Sequence, residues 1–380
     1  MKIVICVSKL MGGGAERVAA LWATGFCKQG HDVSFILNDL KSPRSYFLPN
    51  SDLVTPNSYF VPKEAKIYNI AAPYRNRFAN YIWKNTRQAK VLKKLLNVIQ
   101  PDVVIAVLLQ PWGPLIYKAK GNLGFKVIGT DHNSYEYPPI EPMPKRLKWL
   151  KFEFGKRFDV VTVLTQADKD YIGNERTNIR VLPNPLAFEP IQSPIKDRKK
   201  VILAVGRLNA FIYKGFDVLI KAFGQIAHNH MDWKLQIMGK GSSDTVAMLK
   251  NMAQEYGIEQ QFELTPYQSN PLPIYQQSEI FCLSSRYEGF GLVLIEAMSQ
   301  GCACVACDYK GRQREIITDD KYGLTCPPDD INALAEKLER MISDEAYRRI
   351  VQKNAPERAA YYSLDNIMLR WESILKNLNK

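Results

Sequence analysis

Short apolar runs alternate with helical patterns along the first half of the chain. Ile3–Val7 predicts a strand, Ala15–Gln29 has the spacing of a helix with one apolar face, and Asp32–Leu37 predicts the next strand. Three further apolar runs of strand length lie at Val103–Leu108, Lys126–Thr130 and Val160–Leu164. Strands that alternate with helices indicate a parallel sheet with both faces covered.

A second pattern of the same kind begins after residue 200. Its predicted strands are Val201–Val205, Trp233–Met238, Ile280–Leu283 and Cys304–Ala306, and its predicted helices are Phe216–Ala227, Ser243–Tyr256 and Asp330–Ser343. The stretch between the two patterns holds Pro190 and Pro194 and ends in charged residues, which is typical of a linker.

A chain of 380 residues is long enough for two such domains. We therefore predict an N-terminal domain over 1–185, a linker over 186–200, a C-terminal domain over 201–360 and a last amphipathic helix over 361–380. Ligands of open parallel sheets bind at the carboxyl ends of the strands, so we expect the site in the cleft between the domains.

The charge of the chain is uneven. Residues 1–190 carry 27 Lys or Arg against 15 Asp or Glu, whereas the remainder carries 24 against 23. This asymmetry predicts that the first half faces an anionic partner. The seven cysteines lie mostly in apolar runs, which predicts reduced, buried thiols and a cytoplasmic protein, and the cluster Cys302, Cys304 and Cys307 lacks the spacing of a zinc site.

Residues 74–100 and 145–157 mix basic with aromatic and aliphatic residues, and 74–100 contain seven Lys or Arg and no acid. Such stretches fit contact with an anionic membrane surface, here the inner face of the cytoplasmic membrane, or with a lipid-linked acceptor. They equally fit a solvated helix face whose apolar side lies in the core. Nucleic acid is the disfavoured alternative. No run reaches the roughly 18 apolar residues of a membrane-spanning helix.

Two cations follow the predicted strand Val201–Val205. Gly206 and Arg207 come directly after it, and Lys214 precedes the next helix. Two cations beside a helix N-terminus form a site for a diphosphate, and a solvated basic loop is the alternative.

A second segment, 284–297, follows the strand Ile280–Leu283 and carries two carboxylates. Glu288 lies in a loop in which Gly289 and Gly291 allow the backbone to approach a ligand closely. Glu296 lies on the helix that begins near Leu292, among apolar neighbours, so that it needs hydrogen-bond partners. Two carboxylates at this spacing could hold hydroxyls of two different sugar rings.

This segment resembles the signature of the retaining glycosyltransferase family 4, in which seven residues separate two glutamates. The resemblance extends over nearly the whole chain and includes 301–308, 315–317, 322–324, 328–330, 206–208, 214–215, 238–241 and the glycine loop Gly12–Gly14. It implies the GT-B fold, an α/β architecture of two Rossmann-like doubly wound domains facing across a cleft. It further implies that the C-terminal helix packs back on the N-terminal domain.

The resemblance also implies roles for individual residues. Arg207 and Lys214 would hold the donor diphosphate, Glu288 would bind hydroxyls of the transferred sugar, and Glu296 would accept from the ribose hydroxyls. The remaining donor-binding residues would be Gly13, Gly14, Gly206, Gly239, Gly241, Gly289, Phe290, Gly291 and Leu292. His132, which follows the strand Lys126–Thr130, would lie near the transferred sugar, with Asp131 as a weaker candidate. The catalytic set is thus Glu288, His132, Arg207 and Lys214.

A metal ion is not expected. Asp168-Lys169-Asp170 has the form of a D-x-D metal motif, but Thr165 can cap a helix there and the acids suit its first turn. Family resemblance implies metal-independent transfer without a cofactor. The glycine loop is not a G-x-G-x-x-G fingerprint, so a nicotinamide site is disfavoured.

The function that the resemblance implies is transfer of a hexosyl or N-acetylhexosaminyl group from a nucleotide-diphosphate sugar, UDP-sugar being favoured. The acceptor would be a glycan or a polyprenyl-linked saccharide in the assembly of bacterial surface polysaccharide, lipopolysaccharide or glycoprotein glycans. Alternatives are a nucleotide-sugar epimerase or hydrolase of the same fold, and a non-catalytic nucleotide-sugar-binding module.

Overall fold

The computed structural model describes residues 1–11, 13–39, 60–71, 77–138 and 142–378, and over 77–85 it describes the backbone alone. The chain divides into two compact units. The first comprises Met1–Pro185 with Leu364–Lys380, and the second comprises Leu186–Ser363.

The described strands of the first unit are β1 (Lys2–Val7), β2 (Asp32–Leu37), β3 (Lys66–Asn69), β4 (Val103–Val107), β5 (Lys126–Thr130), β6 (Val160–Val163) and β7 (Ile179–Val181). They form one parallel sheet in the order β3-β2-β1-β4-β5-β6-β7. Its described helices are α1 (Gly14–Lys28), α2 (Arg77–Ile99), α3 (Leu109–Lys120), α4 (Lys145–Phe152), α5 (Gln166–Ile172) and, from the other end of the chain, α13 (Leu364–Asn377).

The strands of the second unit are β8 (Lys199–Val205), β9 (Lys234–Gly239), β10 (Phe262–Pro266), β11 (Ser278–Leu283), β12 (Ala303–Cys307) and β13 (Leu324–Cys326). They pair in parallel in the order β10-β9-β8-β11-β12-β13. The helices are α6 (Phe211–Lys214), α7 (Phe216–Ile226), α8 (Ser243–Glu255), α9 (Leu272–Gln277), α10 (Leu292–Ser299), α11 (Ile331–Ser343) and α12 (Glu345–Ala360).

Both sheets are therefore Rossmann-like, and the predicted fold class is confirmed. Every residue of the central strands β4 and β12 is buried, as parallel strands covered on both faces require. For this reason the apolar runs of the sequence predicted these strands. In each sheet the strand order reverses beside the first strand, between β1 and β4 and between β8 and β11. Ligands of doubly wound sheets bind at such reversals, outside the carboxyl ends of the strands.

The proline-rich stretch predicted as a linker is hydrogen-bonded into the second unit. The Leu186 N–H donates to the Tyr362 carbonyl (2.7 Å) and the Ile191 N–H donates to the Ser299 carbonyl (2.9 Å). Arg198, in its charged end, is buried and donates to the carbonyls of Tyr275 and Ser278. Arg198 therefore fixes this stretch to the second unit instead of lying in solvent.

The cysteines lie mainly in the core. Six of the seven are buried, at positions 6, 282, 302, 304, 307 and 326. Burial raises the pKa of Cys302 to about 12, so this thiol is protonated at neutral pH. None of the described helices is both long and apolar enough to cross a bilayer.

Candidate functional site

The candidate donor site is built from loops at the strand reversal of the second sheet. Segments 206–215, 239–241 and 284–291 begin at the carboxyl ends of β8, β9 and β11, so that their starts lie at one edge of the sheet. The predicted donor residues of the second unit all belong to these loops or to α10, which follows the last of them.

Glycines allow the loops after β8 and β9 to pair closely. The Gly206 N–H donates to the Met238 carbonyl and the Leu208 N–H donates to the Lys240 carbonyl, each at 3.0 Å. A Cβ on Gly239 would stand 1.9 Å from the Gly206 carbonyl oxygen, which is an impossible contact. Side chains at Gly239 and Gly241 would therefore force these two loops apart.

The two predicted phosphate-binding cations differ in their surroundings. Arg207 is exposed, and its guanidinium makes no hydrogen bond or ion pair with the residues that the structure describes. Lys214 closes α6 and its ammonium pairs with the Glu288 carboxylate; their side chains are only 20% and 16% exposed. The Ser285 hydroxyl also lies 3.4 Å from Glu288 Oε1. The structure thus brings Lys214 and Glu288, 74 residues apart in sequence, into direct contact.

Arg286 braces the loop that carries Glu288, a role that the sequence did not predict. Its guanidinium donates to both carboxylate oxygens of Asp217 at the start of α7, at 2.6 and 2.7 Å, and it pairs with Asp329. The Asp217 hydrogen bond raises the pKa of Arg286. Because such a paired, bidentate arginine has a fixed geometry, it holds the start of α7 and the loop after β11 together.

Backbone contacts join the same two segments. The Arg286 N–H donates to the Tyr213 carbonyl (2.9 Å), and the Ser284 hydroxyl donates to the Lys214 carbonyl (2.8 Å). Gly215, in the left-handed region at φ +60°, lies against Ser284, where a Cβ would stand 1.9 Å from the carbonyl oxygen. Lys214 and Glu288 are therefore held from both sides of their contact.

The start of α10 presents backbone donors. Gly291 adopts φ +98° and turns the chain into the helix, and Phe290 before it is buried against the Tyr362 ring at 5.4 Å. Within the described part of the chain, the N–H groups of Leu292 and Val293 find no hydrogen-bond acceptor. First-turn N–H groups of a helix favour an anion such as phosphate.

The second glutamate has a different environment from the first. Glu296 is 1% exposed and accepts a hydrogen bond from the Tyr275 hydroxyl at 3.0 Å, whereas Glu288 lies in a loop, is partly buried and pairs with a cation. A buried carboxylate needs such a donor. The predicted contact of Glu296 with a ribose stays a prediction.

The predicted residues of the first unit lie at the start of α1 and after β5. Gly13 caps α1 and Gly14 begins it; Gly12 lies outside the described residues. A Cβ on Gly13 would stand 2.0 Å from a carboxylate oxygen of Glu16. Trp22, farther along α1, packs against His132 with ring centroids 5.5 Å apart.

His132 is held as a neutral imidazole. Its Nδ1 lies 3.1 Å from the Asn184 side-chain oxygen and its Nε2 lies 3.2 Å from the Thr130 hydroxyl. Burial lowers the pKa of His132 to about 4, against the opposing effect of the Asp131 carboxylate. The neutral ring can exchange hydrogen bonds but carries no charge at neutral pH, and its predicted contact with the transferred sugar stays a prediction.

Two acids considered from the sequence have structural partners. Asp131 forms a buried ion pair with Lys151, at 2.9 Å. Asp168 is 1% exposed and accepts from the Thr165 hydroxyl, the Ser134 hydroxyl and the Tyr135 N–H. The D-x-D segment therefore lies in α5, and Asp168 belongs to the first turn of this helix, which Thr165 caps. Among the described residues, no three His, Cys, Asp or Glu side chains are grouped as metal ligands would be.

Taken together, the second unit places two cations and one partly buried carboxylate on the segments after β8 and β11, and two backbone donors at the start of α10. Such groups suit an anionic diphosphate joined to a hydroxyl-rich ring. The residues that the sequence did not predict are Asn184, Asp217, Tyr275, Arg286 and Asp329. Asn184 and Tyr275 contact the predicted His132 and Glu296, whereas Asp217 and Asp329 hold Arg286. Each of these pairs is distant in sequence.

Comparison with known proteins agrees with this geometry. Residues 12–189 match the family described as Glycosyltransferase Family 4, and residues 187–358 match the Glycosyl transferases group 1. The chain is 31% identical over 284 residues to a lipopolysaccharide 1,6-galactosyltransferase of Salmonella typhimurium, covering 72% of this chain and 75% of that enzyme.

Two further proteins are similar over almost their full length. A Campylobacter jejuni alpha-1,4-N-acetyl-D-galactosaminyltransferase, named for a diphospho-undecaprenol-linked saccharide, is 27% identical over 378 residues, 99% of this chain and 98% of that enzyme. The structure of a sucrose-phosphate synthase from Thermosynechococcus elongatus superposes with a TM-score of 0.79 at 19% identity, covering 100% of this chain and 99% of that one. The chain therefore belongs to the group 1, or family 4, glycosyltransferases of the GT-B fold, and it is a glycosyltransferase.

Proposed function

We propose that the enzyme transfers a hexosyl or N-acetylhexosaminyl group from a UDP-sugar to a glycan or polyprenyl-linked saccharide, with retention of anomeric configuration. The observation that carries this proposal is the contact of Lys214 with Glu288, together with Arg207 on the same segment as Lys214 and the first N–H groups of α10, which have no acceptor among the described residues. Relatives named for lipopolysaccharide and for undecaprenol-linked saccharides support a role in bacterial surface polysaccharide, lipopolysaccharide or glycoprotein glycan assembly.

Departure of the nucleotide leaves a diphosphate with developing negative charge. Arg207 and Lys214 neutralise that charge, and the N–H groups of Leu292 and Val293 donate to phosphate oxygens. Stabilisation of a departing anion by fixed cations and dipoles is a large catalytic effect because the groups are oriented before the reaction begins. On this proposal the two cations replace a metal ion, and transfer proceeds without one.

The two glutamates hold different parts of the donor on this proposal. Glu288 accepts from hydroxyls of the transferred sugar, next to the cation that holds the diphosphate. Glu296, from within α10, accepts from the ribose hydroxyls and keeps Tyr275 as its internal donor. The acceptor hydroxyl attacks the same face from which the diphosphate leaves, and a phosphate oxygen takes its proton.

Thermal stabilisation identifies the donor before any acceptor is known. The protein is heated with UDP, GDP, ADP and the common UDP-sugars, each at equal concentration, with and without EDTA. A ligand at 100 times its Kd stabilises the native state by about 2.7 kcal/mol. UDP-sugars are expected to raise the Tm in both conditions; stabilisation by another nucleotide alone, or loss of the shift in EDTA, contradicts the proposed donor or the metal-independent site.

Nucleotide release then separates the possible activities. A transferase releases UDP when a saccharide acceptor is present, whereas a hydrolase releases it in water alone, an epimerase changes the sugar without release, and a binding module does neither. The anomeric configuration of the new linkage is read by NMR. An inverted product contradicts the front-face mechanism.

A further inference from the structure

The outward face of α4 in the first unit carries three cations around one tryptophan. Lys145, Lys148 and Trp149 stand at helical positions i, i+3 and i+4, and Arg146 flanks them; all four are exposed. On the opposite side of the helix, Leu150 is buried in the core.

Trp149 is fixed in this exposed position by its neighbours. Its side chain is 51% exposed, and its ring packs on Phe154 with centroids 5.4 Å apart. Phe154 in turn packs edge-on against Tyr117 at 5.5 Å, with the Arg157 guanidinium over both rings. The Trp149 ring is therefore held half-exposed, next to the cations of α4.

The charge of this surface is unbalanced. Lys145, Arg146 and Lys148 make no ion pair with any described residue. Helix α3 contacts both α4 and α2, and the Lys118 ammonium joins α3 to α2 by donating to the Thr86 hydroxyl at 2.9 Å. The exposed cations of α2 and α3 extend the basic surface; they are Arg87, Lys90, Lys93, Lys94 and Lys118.

We propose that this face of α4, with the exposed cations of α2 and α3, docks the enzyme on an anionic phospholipid surface. Tryptophan settles at the headgroup level of a bilayer, where its ring is apolar and its N–H is wet. Lysine and arginine near an anionic leaflet are attracted within about a Debye length of it. The proposal concerns only the first unit and does not depend on which sugar or acceptor the enzyme uses.

A single-stranded nucleic acid is a poorer fit to the same surface. Such ligands stack successive bases on several aromatic platforms along a basic groove. In the described parts of α2, α3 and α4, Trp149 is the one aromatic side chain that is classed as exposed. One tryptophan surrounded by cations instead matches a planar, charged interface.

Vesicle co-sedimentation tests the proposal on the full-length enzyme. We expect binding at 50 mM NaCl to phosphatidylcholine vesicles that contain phosphatidylglycerol, weaker binding at 500 mM NaCl, and little binding to phosphatidylcholine alone. Replacing Lys145, Arg146 and Lys148 together by Gln should weaken binding on the order of a hundredfold, from a few-fold for each cation. Trp149→Ala should weaken it roughly tenfold, at both salt concentrations.

Matched controls come from exposed residues of the second unit. The triple variant with Gln at Lys234, Lys250 and Lys353 loses the same charge, and Tyr267→Ala loses an aromatic ring that is 59% exposed. Both should bind vesicles within about threefold of the wild type by the additivity of distant sites. The affinity of every variant for UDP-sugar is first measured and should equal that of the wild type. A failure of the proposed donor site is thereby distinguished from a failure of the proposed membrane contact.

Three results would overturn the proposal. One is the absence of vesicle binding at low salt, and another is equal loss of binding in the α4 variants and in their controls. The third is binding to a single-stranded RNA oligomer, dependent on Trp149, without binding to vesicles.

Discussion

At the scale of single residues, the contact between Lys214 and Glu288 is the feature on which the proposed donor site depends. Both side chains are mostly buried, so removing either one leaves the other with a charge that has lost its partner. The two residues should therefore act as a unit. Their separate effects on catalysis are not expected to add.

Lys214→Ala should lower kcat on the order of a hundredfold or more, because one fixed cation no longer stabilises the leaving diphosphate. Glu288→Gln should also lower kcat, and the double variant should be less impaired than the product of the single effects. Acceptor-dependent nucleotide release measures all three. Lys250→Ala removes an exposed cation of α8 and should leave kcat unchanged; a Lys214→Ala enzyme within about threefold of wild type would refute the assigned role.

His132 makes stability depend on pH. Its pKa of about 4 in the folded protein lies below the value near 6.5 of an unfolded chain, so between these values the unfolded state binds more protons. The contribution of the neutral ring is complete above pH 6.5 and is lost as the pH falls towards 4. It amounts to on the order of 3 kcal/mol at most.

His132→Gln should therefore flatten the loss of stability between pH 7 and pH 4.5. Urea midpoints of the first unit at the two pH values measure the effect, read by the fluorescence change of its buried tryptophans. His228→Gln, which removes an exposed histidine of the second unit, should retain the wild-type slope. An unchanged slope in His132→Gln would show that this ring is not buried in its neutral form.

At the scale of elements, the site is an arrangement of loops that other residues hold in register. Arg286 joins the loop after β11 to α7 through Asp217 and to the loop before α11 through Asp329. It is a positioning residue, since its guanidinium is paired with these two carboxylates. Loss of the brace should allow Lys214 and Glu288 to separate.

Arg286→Ala should raise the donor KM at least tenfold and lower kcat, because small misplacements of binding groups are costly. Arg286→Lys should restore only part of the loss, since lysine keeps the charge but lacks the two-pronged geometry. Steady-state kinetics at varied donor concentration measures both constants. Arg340→Ala removes a 45% exposed arginine of α11 and serves as the control. Equal effects of the two alanine variants would mean that Arg286 contributes only to the general stability of the protein.

The elements also show how much of the fold the sequence predicts. The strands predicted at Asp32–Leu37 and Lys126–Thr130 have those bounds in the structure, and every residue of each strand after the first is buried, as in a parallel sheet covered on both faces. β13 was not predicted, because three residues are too short to show a period. The brace was also missed: Asp217 and Asp329 lie 69 and 43 residues from Arg286, and no local pattern links charges at that distance.

At the scale of the whole molecule, the two ends of the chain meet in the first unit. Helix α13, the last element of the sequence, packs against α1, the first helix. Met368 occupies the space above Gly25, where a Cβ would stand 2.4 Å from its sulfur. The stability of the first unit therefore depends on residues that follow the entire second unit.

Trp371 gives the most direct test of this dependence. It is fully buried, and its ring packs on Trp22 at 5.1 Å and on Phe26 at 5.4 Å, both in α1. Trp371→Ala should destabilise the first unit by about 3–5 kcal/mol, as removal of a buried tryptophan leaves a large cavity. Hydrogen exchange should then accelerate in α1, while α7 and α11 of the second unit keep their protection.

Leu369→Ala is the control on the same helix, because Leu369 is 63% exposed and its removal leaves no cavity. Uniform acceleration of exchange in both units after Trp371→Ala would mean that the chain unfolds as one cooperative block. Unchanged exchange in α1 would mean that α13 contributes little to the first unit. Selective acceleration in α1 would instead show that the core of the first unit is incomplete without the packing of α13.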